Sequence, residues 1–486
     1  MIRKLPMPDP EIRTIAFVSL GCPKNLVDSE RMLGLLAGDG LVLTPQAEEA
    51  DAIIINTCGF LEASKTESMG EIHRAIELKK KGKCRRVVVA GCLVQRHKTD
   101  LLAEAPGIDR LVGVFDREHI VEAVRSTGKA LGDGHFLGKY HDLSRRLAVE
   151  AKIDPDAKQT KTSRLPVFED DRGRLRLTPR HYAFVRLSEG CNQGCAFCTI
   201  PSIRGPMRSK PPEHILAEAR ELAADGAVEL NLIGQDTTSY GTDIGYAAGL
   251  AGLLKTLDRQ LTDVNWLRLM YAYPSCFTDE MIHALADSPR MVKYIDMPLQ
   301  HINDRMLAIM KRRVTRNQIE KLLEKLRKWI PGITIRTTFI AGAPGETDAE
   351  HRELVEFVRD FGFDMMGVFP YSAEPGTPMG KMDGQISEEV KKSRVEDLML
   401  AQQQVAFAKA REKIGQTVEV LIDRTAGKEG RWIGRTAGQA PEIDSVIHVE
   451  GANLHAGKIV TTRVFGSDGY DLLSKVPRLR SLRVIA

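Results

Sequence analysis

Cys191, Cys195 and Cys198 stand in the run Cys191-Asn-Gln-Gly-Cys195-Ala-Phe-Cys198, a C-x3-C-x2-C spacing. Three thiolates held that close in a loop can take three corners of a 4Fe–4S cube and leave the fourth iron without a protein ligand. Zinc is the competing reading, and a structural zinc site needs four ligands. No Cys or His follows Cys198 until His214, so a local fourth ligand is missing. An open iron is useful if a cofactor can chelate it. S-adenosylmethionine can do so through its amino and carboxylate groups, and one electron then cleaves its sulfonium to a 5′-deoxyadenosyl radical, chemistry that belongs to the cofactor rather than to side chains.

A second set is spread out. Cys22, Cys58 and Cys92 are 36 and 34 residues apart, too far for a local motif. Each follows a strand-like run, in Ser19-Leu20-Gly21-Cys22, Asn56-Thr57-Cys58-Gly59 and Ala90-Gly91-Cys92. The C-terminal ends of strands in an open parallel sheet share one edge, where ligands bind. The residues leave two readings open: convergence on one cofactor, with the glycines permitting close approach, or three buried apolar thiols. Cys84 and Cys276 have no comparable setting and read as structural.

These cysteines need elements to position them. The apolar runs Thr14–Leu20, Ala52–Asn56 and Arg86–Ala90, separated by helix-like sequence, predict an open parallel α/β sheet over residues 13–130. Residues 131–181 lose the pattern. With polar runs such as Asp154-Pro155-Asp156 and Glu169-Asp170-Asp171-Arg172-Gly173 they read as a linker, mobile in part. Six further strands are expected over 182–414, at Ala183–Leu187, Val228–Ile233, Trp266–Tyr271, Lys293–Met297, Ile333–Ile340 and Met366–Pro370. With helices such as Pro212–Ala224 and Ala349–Phe361 between them, they fit a partial (β/α)6 barrel whose first strand ends at the C-x3-C-x2-C loop, on the rim where barrel enzymes work. Ser387–Lys413 reads as a helix with acidic residues first and basic residues last. Residues 415–486 then give short alternating runs (Thr417–Ile422, Arg431–Thr436, Val446–Val449, Lys458–Phe465) of a small antiparallel β-barrel.

Composition narrows the class. The chain has 486 residues, 43% apolar and 28% charged, which suits several globular domains. A formal charge of only +4 argues against a wholesale nucleic-acid binder. Met1–Arg13 has three prolines and no apolar h-region, and no stretch approaches about 18 uninterrupted apolar residues. No membrane partner and a cytoplasmic location are therefore expected. There thiols stay reduced, and the eight cysteines read as ligands or buried thiols.

With these residues in view, the chain resembles the radical SAM methylthiotransferases over nearly its whole length. The resemblance implies an N-terminal methylthiotransferase domain, a radical SAM barrel and a C-terminal TRAM barrel. It also implies two 4Fe–4S clusters, an auxiliary one on Cys22, Cys58 and Cys92 and the SAM-binding one on Cys191, Cys195 and Cys198. It is closer to the type that modifies a ribosomal protein than to the tRNA type. This rests on Ser19-Leu20-Gly21-Cys22-Pro23-Lys24-Asn25, where tRNA enzymes usually show Gly-Cys-Gln-Met-Asn. Asn56-Thr57-Cys58-Gly59-Phe60, Pro201-Ser202-Ile203-Arg204-Gly205, the run Gly234–Gly241 and Met297-Pro298-Leu299-Gln300-His301 agree with it. The implied reaction is methylthiolation of the β-carbon of an aspartate in ribosomal protein S12, free or in the small subunit. One SAM supplies the methyl group, a second supplies the radical, and an electron donor such as flavodoxin supplies the electrons. An unactivated C–H bond offers no acidic proton, so a radical is required. The 131–181 stretch is longer than the family pattern, and Ala343 stands where an aromatic is more usual.

Gly234, Gln235 and Asp236 after the second barrel strand, and Gly342, Gly345 and Glu346 after the fifth, face the same rim and are expected SAM contacts, with turn formation as the competing reading. Gln300 and His301 fall in the same class. Lys311-Arg312-Arg313 reads as a solvated helix end. Residues 416–466 carry six Lys/Arg and six Asp/Glu. That neutrality leans toward a protein partner rather than a phosphate backbone, while Lys475, Arg478, Arg480 and Arg483 in the tail lean the other way. The rivals are therefore a tRNA methylthiotransferase and a non-catalytic iron–sulfur protein.

Overall fold

Runs of Ile and Val too apolar for one exposed face build the first sheet. In the computed structural model, which describes residues 11–126, 134–150 and 168–477, strands β1 (Thr14–Ser19), β2 (Val42–Leu43), β3 (Ala52–Thr57), β4 (Arg86–Gly91) and β5 (Arg110–Val112) pair in parallel in the order β2-β1-β3-β4-β5. Every residue of central β3 is buried, and its two faces feed two separate apolar clusters. The three expected strands are β1, β3 and β4. Flanking β2 and β5 have two and three residues, too short to leave a periodic signal. Register pairs Ser19 with Asn56 and Asn56 with Ala90, so Cys22, Cys58 and Cys92 follow strand ends that lie level on one edge.

The second sheet holds β6 (Tyr182–Arg186), β9 (Glu229–Ile233), β10 (Trp266–Leu269), β11 (Met291–Asp296), β12 (Thr334–Ala341) and β13 (Met365–Pro370), hydrogen-bonded in chain order. Six βα units crossing with one hand curl such a sheet into an open barrel. A short antiparallel hairpin of β7 (Ser188–Glu189) and β8 (Arg208–Ser209) closes the base of the cysteine loop. The expected long helix runs Glu388–Glu412, capped by Ser387 and with Lys409 and Arg411 in its last turn.

The C-terminal barrel is closed, with β14 (Thr417–Thr425), β15 (Arg431–Arg435), β16 (Ile447–Glu450), β17 (Ile459–Asp468) and β18 (Asp471–Lys475) in the order β14-β15-β16-β18-β17. It departs from a purely antiparallel barrel at one seam, where β16 and β18 run parallel because the last strand is inserted between two that had already been laid down. An apolar cluster on the inner face of the large sheet (Tyr182, Phe184, Trp266, Tyr294) takes Val27 from the N-terminal sheet's first helix and Leu421 and Ala440 from the C-terminal barrel. Beneath it Glu229 pairs with Arg268 at 2.9 Å and with Arg435 at 2.7 Å, all three buried.

The stretch read as a linker departs from expectation. Asp154-Pro155-Asp156 lies outside the described residues, as do residues 1–10 and the tail arginines Arg478, Arg480 and Arg483. The described parts, however, are built into the fold. Phe136 bridges to Val112, and Tyr140–Glu150 is a helix. Glu169-Asp170-Asp171-Arg172-Gly173 is anything but a mobile polar run at its centre. Asp171 is 0% exposed and meets Arg186 at 2.6 Å, Lys210 at 2.6 Å and Arg117 at 2.8 Å. Its composition suggested solvent because its partners come from far along the chain, where no local window can see them.

Candidate active site

The cysteine loop of the large sheet is fixed from several sides. Ala196 donates its N–H to the Met310 carbonyl and accepts from the Met379 N–H, both at 3.0 Å. Backbone N–H groups of Gln193 and Ile200 point at the sulfurs of Cys191 and Cys198, each at 3.4 Å. Arg312 Nη1 and Tyr273 Oη each lie 3.6 Å from Cys195 Sγ, with the guanidinium 4.1 Å from the tyrosine ring centroid. Arg312 corrects an expectation. Lys311-Arg312-Arg313 is not a solvated helix end: the helix stops at Ile309, Lys311 and Arg313 take positive φ, and Arg312 between them is turned inward. Helical periodicity could not reveal a residue whose direction is set by two left-handed neighbours.

The second set converges. Gly21 sits at φ +91°, and a side chain there would bring Cβ within 2.8 Å of Cys58 Cβ; at Gly59 it would come within 2.6 Å of Leu93 Cα, next to Cys92. The glycines are thus needed first for one cysteine turn to lie against the next. Cys22 precedes the helix Pro23–Gly38 at its N-terminus. Asn25, in that helix, donates to the carbonyls of Leu20 (2.6 Å) and Thr57 (3.3 Å), fastening the first two turns together. Cys58 and Cys92 are buried.

Residues flanking the two sets meet across the interface between the sheets. Arg204, six residues after Cys198, donates to Cys92 Sγ from Nε at 3.3 Å and from Nη2 at 3.1 Å. Lys24 is buried and lies 3.2 Å from the ring centroid of Tyr271, beyond the end of β10. Tyr271 holds φ +61°, uncommon for an aromatic residue and of the kind that clusters at functional sites. On the other side Arg96, four residues after Cys92, pairs with Glu374 beyond β13 at 2.7 Å.

The donor set suits iron–sulfur clusters. Burial pushes the Cys92 thiol up to about 12, against the pull of Arg204. It likewise pushes Cys198 up to about 12 and Cys191 to about 11. Such thiols are poor free nucleophiles, whereas metal coordination deprotonates them outright. Buried N–H donors and cations beside each set then stabilise the resulting anionic sulfurs. Among the described residues no three Cys, His, Asp or Glu side chains are arranged around a single ion; a cube spreads its thiolates over different irons.

The expected rim residues divide. Gly234 and Gln235 follow β9, with Gln235 Nε2 2.5 Å from Glu189. Asp236 is buried and accepts from Gln193 of the cysteine loop at 2.7 Å and from Thr238 and Ser239 at 2.6 Å. Gly342 and Gly345 both take positive φ. The Glu346 carboxylate faces into its own loop, accepting from the Gly342 N–H at 2.5 Å and the Ala343 N–H at 3.0 Å. His301 Nε2 and His351 Nδ1 lie 3.6 and 3.7 Å from it, too long for hydrogen bonds. Of the two cysteines left aside, Cys84 is buried in the first sheet's core. Cys276 is nearer the chemistry, 3.4 Å from Gln193 Nε2; its place after the third barrel strand was the signal.

Comparison with known proteins agrees with this division of the chain. Residues 14–113 match the uncharacterized protein family UPF0004, residues 185–358 the radical SAM superfamily, and residues 414–476 the TRAM domain. Among solved structures, the radical S-adenosylmethionine methyltransferase TsrM from Kitasatospora setae shares the fold with a TM-score of 0.52 and 16% identity, covering 76% of this chain and 77% of its own. Ribosomal protein uS12 methylthiotransferase RimO from Trichlorobacter lovleyi is 40% identical over 467 residues, 95% of this chain and 98% of the relative. The enzyme of the same name from Geobacter sulfurreducens is 40% identical over 463 residues, 95% and 98% of the two chains. Identity of 40% over 95% of the chain makes the lineage plain: the chain belongs to the ribosomal protein uS12 methylthiotransferase family, within the radical SAM superfamily.

Proposed function

We propose that this protein attaches a methylthio group to the β-carbon of an aspartate in ribosomal protein uS12. Cys191, Cys195 and Cys198 would hold the 4Fe–4S cluster that binds SAM, and Cys22, Cys58 and Cys92 the auxiliary one. The observation that supports the reading is the pair of hydrogen bonds from Arg204, six residues after Cys198, to Cys92, which tie the segment following one cysteine loop to a cysteine of the other set. Bound there, the cofactors supply a radical able to take hydrogen from an unactivated carbon, together with the sulfur and methyl to be transferred.

The chain's own part is placement. Gln193, Tyr273 and Arg312 orient the cysteine loop, and Asp236 ties that loop to the rim after β9. Gly234, Gln235, Gly342 and Gly345 line the same rim and would contact SAM through backbone and amide groups, while Glu346 shapes the loop from inside. Buried Lys24 and Arg204 offset the negative charge of thiolate-bound iron. The setting is the cytoplasm, where thiols stay reduced, with the small ribosomal subunit or free uS12 as partner and a flavodoxin-type protein as electron donor. Among the described residues no helix is long and apolar enough to cross a membrane.

Mass spectrometry of uS12 and tRNA from cells lacking this protein tests the assignment. Loss of the methylthio group from uS12 with tRNA unchanged is expected. The reverse result makes the protein a tRNA enzyme, and absence of reductant-dependent 5′-deoxyadenosine from the reconstituted protein makes it non-catalytic.

A further inference from the structure

Arg204 is 2% exposed and uses every edge of its guanidinium. Nη1 donates to Asp28 at 2.8 Å and to Glu189 at 3.0 Å. Nη2 donates to Asn25 at 3.2 Å and to Cys92 Sγ at 3.1 Å, and Nε to the same sulfur at 3.3 Å. A guanidinium is planar and permanently charged, so carboxylates gripping one edge fix where the other edge points. Here that edge points at sulfur. Asn25 in turn bonds the Leu20 and Thr57 carbonyls, beside Cys22 and Cys58. One barrel side chain is therefore connected to all three N-terminal cysteine turns.

The carboxylates do not themselves require Arg204. Asp28 also pairs with Arg186 at 2.9 Å and Arg117 at 2.8 Å, and Glu189 also pairs with Arg186. Ample positive charge surrounds them without it. The contact that nothing else in this network makes is the one to Cys92. Hydrogen bonds and positive charge at a cluster thiolate favour the more electron-rich, reduced cluster and so raise its potential.

We propose that Arg204 is a positioning residue for the auxiliary cluster, lent by the SAM-binding loop, which fixes Cys92 and raises the reduction potential of the cluster at Cys22, Cys58 and Cys92. The inference rests on the two-cluster reading above. The helix Ile200–Arg204 then joins both clusters through a few residues of backbone, so the N-terminal site is incomplete without the barrel.

The test is an anaerobic redox titration followed by electron paramagnetic resonance. It uses full-length chains carrying either the auxiliary cluster alone (Cys191→Ala, Cys195→Ala, Cys198→Ala) or the SAM cluster alone (Cys22→Ala, Cys58→Ala, Cys92→Ala). Arg204→Gln is expected to lower the auxiliary midpoint by about a tenfold change in the reduced-to-oxidised ratio, about 59 mV for one electron, with the SAM cluster unmoved. Arg204→Lys, which keeps the charge and loses the fork, should shift it less. Loss of only the auxiliary cluster in Arg204→Gln, with the Lys variant shifted, also supports the proposal. An unmoved auxiliary midpoint at full iron content overturns it, as does an equal shift of both clusters. Iron analysis of the unmodified chain separates the two levels. About four irons instead of about eight overturns the two-cluster reading and this proposal with it, whereas about eight with an unmoved midpoint overturns the role of Arg204 alone.

Discussion

The two cysteine triads solve one problem in opposite ways. Cys191, Cys195 and Cys198 lie within one loop, half-buried, and their nearest donors include that loop's own backbone. Cys22, Cys58 and Cys92 come from three strand ends, two of them buried, and the donor on Cys92 belongs to another region of the chain. A loop site can form once its hairpin closes. A strand-end site requires the whole parallel sheet and then the docking of the barrel, which places it later in assembly and makes it more sensitive to distant changes.

The largest expected effect separates the triads by function. Cys195→Ala should abolish 5′-deoxyadenosine formation altogether. Cys92→Ala should leave SAM cleavage within a few-fold of normal yet eliminate methylthiolated product, read by mass spectrometry of a uS12 substrate. If Cys92→Ala silences SAM cleavage as well, the two sites act as one unit and the comparison breaks.

The next effect tests how far the N-terminal triad depends on docking. Asp171 holds Arg186, Arg117 and Lys210 together at the buried interface, and removing one partner of a buried ion cluster costs about 3–5 kcal/mol. Asp171→Ala should therefore lower the denaturant midpoint of the Arg117–Arg186 region and deplete auxiliary-cluster iron before SAM-cluster iron. Equal loss from both sites would mean that the interface supports them alike. Glu229→Gln, at the opposite end of the large sheet, should destabilise by a similar amount without that selectivity, because its partners are Arg268 and Arg435 beneath the barrel.

What the sequence disclosed follows the same divide. The C-x3-C-x2-C loop is a local pattern and can be read directly, as can the six central strands, whose apolar runs alternate with helical sequence. Convergence of Cys22, Cys58 and Cys92 was visible only as a shared position after three strands, and it takes parallel pairing to bring those strand ends level. Arg312 and Asp171 were misread because both were judged by local composition. Arg312 is turned inward by its neighbours' φ angles, and Asp171 is neutralised by residues far away in the chain. The two- and three-residue strands β2 and β5 left too few residues for a period. Long-range electrostatics, rather than hydrophobic pattern, is what a linear reading loses.

The smallest effect sharpens the comparison from the barrel side, at the loop after β12. His301 Nδ1 accepts from the Ile302 and Asn303 N–H groups at 2.9 and 3.0 Å, which leaves its Nε2 proton facing Glu346. Burial alone would raise the Glu346 carboxyl, but His301, His351 and Arg394 around it hold it down at about 2. A folded value below the unfolded one gives stability that is present above about 4.5 and lost as the pH falls toward about 2, at most roughly 3 kcal/mol. Glu346→Gln should thus be less stable than the parent at neutral pH, with the gap narrowing through that acid window in denaturant titrations. Iron at Cys22, Cys58 and Cys92 should be unaffected at neutral pH, since Glu346 touches no part of the N-terminal interface. A gap that stays constant to pH 2 would mean that Glu346 contributes shape rather than charge to the SAM-side rim.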